Sequence, residues 1–202
     1  MSTIKTTNIT HGSNSSTANF VLTSGGDVTV GNDLTVTDTL TVPTKKLVCP
    51  GMIVQVLQAF KDDTYTRTSD GTSTTIPGLS QAITMTAASN KVFCMAQVQV
   101  TCGGNYGGHV LNLARGSTKI SQAESNGSRT LGSVCVTANS NYPHSHVINY
   151  LDTPGAGTHT YTVQDYDPSS SNVIYVNRPV THDDDAGYQN TTSSLILMEV
   201  VA

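Results

Sequence analysis

A six-residue repeat constrains the fold more than any other feature of this sequence. Residues 28–45 contain three near-copies of one phrase, VTVGND, LTVTDT and LTVPTK. Each copy has an apolar residue at its first and third positions, namely Val28, Val30, Leu34, Val36, Leu40 and Val42. Apolar residues on alternate positions form one narrow edge of an extended chain. A single ribbon of this kind has no partner for that edge and is not stable by itself.

Three arrangements of the repeat remain open. The ribbon can lie on the rest of the chain as an added strand, it can be a disordered linker, or copies from several chains can bury their edges together. The six-residue period favours the third arrangement, because Gly31-Asn32 and Pro43 permit a kink in the phrase. Three chains would then wind into a short intertwined β-prism whose layers stack like structural repeats. The six apolar residues would form the trimer axis.

The pattern divides the chain into three segments. Residues 1–20 are rich in serine, threonine and asparagine and contain few large apolar residues, Ile4, Ile9 and Phe20. This composition predicts an extended attachment arm without a core of its own, which binds a partner through those three residues. Residues 21–46 contain the repeat and would form a trimeric stalk. Residues 47–202 contain ordinary strand patterns and predict a separate C-terminal domain.

The C-terminal domain is predicted to be all-β. No window has a sustained helical period, and glycine, proline and asparagine punctuate short apolar runs. Turn signals include Pro77-Gly78, Asn126-Gly127 and residues 154–157. Eight to eleven strands at this spacing predict an antiparallel sandwich or jelly roll. The predicted strands are 51–60, 64–68, 81–86, 91–102, 108–114, 118–123, 129–137, 145–151, 158–165, 173–177 and 193–201.

Composition and charge exclude several classes of protein. Charged residues make up 12% of the chain, whereas 31 threonines and 21 serines supply small hydroxyls. Such a surface is typical of extracellular or particle-borne β proteins. The net charge of −4 argues against nucleic acid as a partner. No apolar run is long enough to cross a membrane, and the N-terminal residues lack the apolar region of a secretory signal.

The four cysteines stand at positions 49, 94, 102 and 135 without a CxxC pair. Cys94 and Cys102 lie in one predicted strand, roughly 26 Å apart at ~3.3 Å per residue, which is beyond disulfide reach. We therefore expect four buried free thiols and no structural zinc.

Two motifs resemble ion sites. His144 and His146 would lie on one face of a strand, but no cysteine or acidic residue stands nearby to complete a zinc site. We interpret them as a surface or trimer-interface pair. Asp183, Asp184 and Asp185 are consecutive and cannot all point at one calcium ion, so a solvated acidic loop is the favoured interpretation.

Catalytic patterns are weak. No GxSxG elbow is present, and the only glutamates are Glu124 and Glu199, which disfavours paired-carboxylate glycoside cleavage. We expect no enzyme activity, no cofactor and no metal.

The N-terminal sequences MSTIKTTNIT and ANFVLTSGGDVTVGNDLTVTDTLTV resemble those of bacteriophage virion proteins, especially from cyanophages and marine phages. The segments GLSQAIT (78–84), LNLARGSTKI (111–120), YLDTPGAGTHTYTVQ (150–164), VNRP (176–179) and LILMEV (195–200) resemble the jelly-roll knob that ends such proteins. The resemblance implies a homotrimer with a TNF-like jelly-roll sandwich. It also implies assembly in the host cytoplasm and release by lysis, without a signal peptide.

Two virion functions follow from this resemblance. A capsid decoration (cement) protein would use the arm to bind the major capsid protein or another virion protein. A short tail fibre would use the same arm on the tail and present the knob to a host surface glycan. The repeat favours decoration, because 18 residues extend to at most about 6 nm. A secreted carbohydrate-binding module is a third reading, which the scarcity of aromatic residues disfavours.

Overall fold

The computed structural model describes residues 49–103, 109–136, 142–169 and 172–202. The arm, the repeat and the boundaries proposed for both lie outside the described residues. Within the described part, all regular structure is β-strand and no helix is present that could cross a membrane. The all-β prediction is therefore confirmed. The eleven strands are β1 (Ile53–Lys61), β2 (Tyr65–Thr68), β3 (Thr74–Thr84), β4 (Lys91–Gly103), β5 (Val110–Arg115), β6 (Thr118–Lys119), β7 (Val134–Cys135), β8 (His144–Asp152), β9 (Thr158–Tyr166), β10 (Val173–Val176) and β11 (Ser193–Val200).

The strands form two antiparallel sheets. Sheet A contains β1, β11, β4, β10 and β2 in this order, and β8 pairs with the other edge of β4. Sheet B contains β3, β9, β5 and β6, and β7 also pairs with β5. The two sheets share one apolar core. β4 contributes six residues to it, namely Val92, Cys94, Ala96, Val98, Val100 and Cys102.

Two strands pair with the same edge of β4, one after the other along its length. β11 pairs with residues 91–97 of β4, and β10 pairs with residues 100–103. Outside them, β1 pairs with β11 and β2 pairs with β10. The edge of sheet A is thus built from two consecutive pairs of strands, and the break between them lies opposite Gln99.

The predicted strands agree with the structure to within two residues, except for β3, β6 and β7 of sheet B. β3 begins at Thr74 and continues through Pro77-Gly78, which was predicted as a turn; the register shifts between Thr75 and Ser80. The predicted strands 118–123 and 129–137 shrink to β6 and β7, two residues each. Ile120 and Ser133 instead bond to β5 outside these two ladders: Ile120 N donates to Leu113 O and Ser133 N donates to Leu111 O, both at 2.9 Å.

Candidate functional site

The outer face of sheet A is the most apolar exposed surface among the described residues. In β4 and β11, every second side chain enters the core, and the residues between them point outward and are also mostly apolar. The register places the outward residues in rows across β1, β11, β4 and β8. These rows are Val56-Met198-Phe93-Leu151, Gln58-Ile196-Met95-Asn149 and Phe60-Ser194-Gln97-Val147.

Eight of the twelve positions are apolar and the other four are uncharged. We call the eight apolar residues the apolar face: Val56, Phe60, Phe93, Met95, Val147, Leu151, Ile196 and Met198. The members on the flanking strands are about half exposed, at 56% for Val56, 57% for Phe60, 48% for Val147 and 49% for Leu151. A contiguous apolar surface of this kind on a folded domain marks an interaction site.

A buried carboxylate fixes one end of β11, the strand in the middle of this face. Glu199 accepts hydrogen bonds from Asn90 Nδ2 at 2.7 Å, Gln55 Nε2 at 2.5 Å and the Thr86 backbone N at 2.8 Å. Burial by itself would raise the pKa of Glu199, but the hydrogen bonds from Asn90, Thr86 and Gln55 outweigh it and lower the pKa to about 2. The charged carboxylate therefore ties β1 and the connection between β3 and β4 to β11.

Asn177 fixes the other end of β11, at the break in the sheet edge. Its Nδ2 donates to the carbonyl oxygens of Lys61 and Asp63, both at 3.0 Å. Its Oδ1 accepts from Ser193 Oγ at 2.6 Å, and Ser193 Oγ in turn accepts from Gln99 N at 2.9 Å. These bonds satisfy the backbone groups that the change from β10 to β11 leaves unpaired.

A second buried polar cluster lies between the sheets, and the sequence did not predict it. His109 Nδ1 is 2.7 Å from Asp165 Oδ1, and Arg67 Nη1 donates to Asp165 Oδ2 at 2.7 Å. The other imidazole nitrogen, His109 Nε2, faces Asp167 at 3.5 Å. A nucleophilic triad needs a hydroxyl or thiol at that nitrogen. The described residues place a carboxylate there instead.

The cysteines divide into two classes. Cys94 and Cys102 are buried in β4, and burial raises the pKa of their thiols to about 12 and about 11. Cys49 and Cys135 are exposed, so the prediction of four buried thiols is wrong for these two. All four thiols are free, as predicted.

The predicted ion sites are placed as follows. His144 and His146 lie opposite Val100 and Val98 of β4, on the core side of β8 and not on the apolar face. Burial, and then the neighbouring His144, lower the pKa of His146. Asp183, Asp184 and Asp185 are exposed and line an open depression of about 530 Å³ with Tyr142 and Tyr188. Among the described residues, no group of three histidine, cysteine or acidic side chains is arranged to hold a metal ion.

Ile4, Ile9, Phe20 and the six axial residues of the repeat lie outside the described residues. The apolar face itself was missed, although the sequence contains a signal for it. KVFCMAQV in β4 and SSLILMEV in β11 are apolar at consecutive positions, which indicates strands covered on both faces. Comparison with protein-family models and with curated proteins finds no match for this chain.

Proposed function

We propose that this protein is a structural component of a bacteriophage virion, a homotrimeric capsid decoration protein that binds the outer surface of the capsid shell and stabilises it. The observation that carries this proposal is the uncharged, half-exposed apolar face. A virion component that functions by assembly needs an apolar face against which its own copies can pack. The strand order, β1-β11-β4-β8 against β3-β9-β5, supports a jelly-roll knob.

The occupant that we propose for the apolar face is a second copy of the chain. β1 supplies Val56 and Phe60 to the face, and it is the first strand after the repeat in the chain. In the intertwined β-prism that the repeat favours, copies of the chain bury its apolar edge, and the same copies would cover both surfaces. The absence of charge from the three rows agrees with this occupant, because interface centres are depleted in charged residues.

Light scattering of the full chain tests the oligomer. We expect a mass near three times 21.2 kDa at micromolar concentration. A monomer under these conditions would refute both the stalk and the subunit interface.

Binding to particles tests the function. The arm, residues 1–20, is the proposed attachment segment, so a truncated protein that starts at residue 21 should remain trimeric. It should fail to co-sediment with particles that lack the protein, whereas the full chain should be recovered with them. Equal recovery of both forms would assign attachment to the knob or stalk.

Immunolabelling of intact particles separates decoration from the alternative, a short tail fibre. Label on heads supports the decoration protein, and label confined to tails overturns it in favour of the fibre.

A further inference from the structure

A cleft of about 470 Å³ opens on the outer side of sheet B, far in sequence from the strands of the apolar face. Its lining includes Lys119 of β6, Tyr166 at the end of β9, and Gln122, Arg129, Thr130 and Leu131 from the segment that follows β6. The volume lies within the range of small-molecule sites. The wall combines polar and apolar groups, as binding clefts do.

Hydrogen bonds attach the segment that forms one wall of the cleft to sheet B. Gln122 Nε2 donates to Asn112 Oδ1 and to Leu131 O, both at 3.1 Å. Ala123 N donates to Gly132 O at 3.3 Å, which closes the segment on itself. Because these bonds hold the wall without a ligand, binding there would require little reorganisation.

The cleft holds two cations without acidic partners. Lys119 Nζ lies 4.9 Å from the centroid of the Tyr166 ring, and Arg129 Nη1 donates to Asn126 O at 3.1 Å. Neither forms an ion pair with any described residue, whereas Lys61, Arg67 and Arg115 are each paired with aspartate. In the part of the chain that the structure describes, no acidic side chain lines the cleft. Two unpaired cations in one depression of a chain with net charge −4 create a local site for anions.

A buried amide lies beneath the segment that walls the cleft. Asn112 is fully buried, and its Oδ1 accepts the bond from Gln122, but its Nδ2 has no hydrogen-bond partner in the described part of the protein. A buried amide donor is rarely left without an acceptor.

We propose that this cleft binds an acidic saccharide. A carboxylate or sulfate group would lie between Lys119 and Arg129, and the sugar hydroxyls would bond to Gln122 and Thr130. Leu131 would contact the apolar C–H groups of the sugar ring. A nucleotide fits less well, because the cleft has one aromatic ring, which Lys119 already covers. The cleft lies on a different sheet from the apolar face, and saccharide binding goes beyond capsid decoration.

The test titrates the full chain with a galacturonic acid tetrasaccharide and measures the heat of binding by calorimetry. The matched ligand is the methyl ester of the same tetrasaccharide, which keeps every ring and removes the charges. The test variants are Lys119→Gln and Arg129→Gln. The matched control is Lys91→Gln, which removes an unpaired cation in sheet A.

We expect the acid to bind about tenfold more tightly than its ester, and each test variant to weaken binding of the acid about tenfold. The control should bind like the unchanged protein, and all three variants should keep its melting temperature. Equal affinity for acid and ester would overturn the proposal, as would equal losses in Lys91→Gln. Absence of binding at millimolar concentration, both of this ligand and of a sulfated chondroitin tetrasaccharide, would also overturn it.

Discussion

Asn177 has a left-handed backbone, with φ of 61°, and is the only described residue other than glycine with positive φ. Asparagine tolerates this conformation better than most residues. The conformation turns the chain out of β10, so that Asn177 N donates to Gln99 O at 2.8 Å while the side chain bonds across the break in the sheet edge. A single residue therefore joins two pairs of strands.

Replacement of Asn177 tests this role. Asn177→Ala removes three side-chain hydrogen bonds. It also leaves a residue that has a Cβ, and no compensating bonds, in a left-handed conformation. We expect it to lower the free energy of unfolding by about 3 kcal/mol, measured by urea denaturation at one protein concentration. Asn177→Gly removes the same bonds but tolerates the backbone, so its loss should be smaller by about 1 kcal/mol. Unchanged stability in both variants would contradict the role of the side chain.

Glu199 makes stability depend on pH in the acid range. Its pKa is lowered from 4.5 to about 2 in the folded protein, so the carboxylate stabilises the fold fully above pH 4.5. That contribution, about 3 kcal/mol, is lost as the pH falls from 4.5 to 2. In Glu199→Gln the contribution should be absent at pH 7, and the difference from the unchanged protein should shrink toward pH 2. Urea denaturation at several pH values measures both effects.

Glu124→Gln is the matched control, because Glu124 is the only other glutamate and is exposed. It should unfold like the unchanged protein at every pH. A loss of stability in Glu199→Gln that is the same at pH 7 and pH 2 would show that the cost comes from packing and not from the charge.

At the scale of elements, strand positions were predictable where one face of a strand is buried and the other is not. β8 and β9 follow this alternation, and both were predicted to within one residue at each end. β3 was predicted to start seven residues late, because Pro77-Gly78 is the usual sign of a turn. Here Gly78 has φ of +85° within a strand whose register shifts, so the pair marks a bulge.

β6 and β7 were predicted too long for a different reason. The segment between β6 and β7 has strand-like residues, but its partner is a single edge of β5. Only four residues of β5 pair in regular ladders: Ala114 and Arg115 with β6, and Val110 and Leu111 with β7. Between these ladders the chain rises over the outer side of sheet B and forms the cleft. Such a detour depends on contacts distant in sequence, which local patterns do not contain.

Gly132 fixes how closely this segment approaches sheet B. A Cβ at Gly132 would lie 2.4 Å from Val110 Cβ and 2.9 Å from both of its γ-carbons. Gly132→Ala should therefore push the segment away and lower the free energy of unfolding by about 1–3 kcal/mol. Val110→Gly removes the Cβ and both γ-methyl groups, so the double variant should recover part of the loss. Melting temperatures of the two single variants and the double variant measure this coupling, and strict additivity would contradict the contact.

At the scale of the whole molecule, the apolar face predicts which substitutions separate folding from assembly. Leu151→Lys places a charge on the face at a position already about half exposed, so the domain should fold normally. Three such charges at the proposed subunit interfaces should weaken the proposed trimer, which light scattering across a dilution series would detect. Thr160→Lys introduces the same charge at an exposed position of β9 in sheet B and should leave the mass unchanged. Equal behaviour of the two variants would exclude the apolar face as the interface.

The repeat makes a separate prediction about assembly. Leu34→Asp would place three carboxylates together on an apolar axis, where neither desolvation nor mutual repulsion favours them. We expect loss of the trimer or a large fall in melting temperature, measured by light scattering and thermal denaturation. Stable trimers of this variant would show that Leu34 does not face the axis.

The pairing of β1 with β11 has a mechanical consequence. Gly51 N donates to Val201 O at 2.8 Å and Val201 N donates to Met52 O at 2.9 Å, so hydrogen bonding continues beyond both strands. Tension applied to the chain at Cys49, along the direction of β1, would load this whole ladder in shear. Its hydrogen bonds would then share the force and would not open one after another. A domain loaded in this direction would resist unfolding more than one whose strands separate from one end.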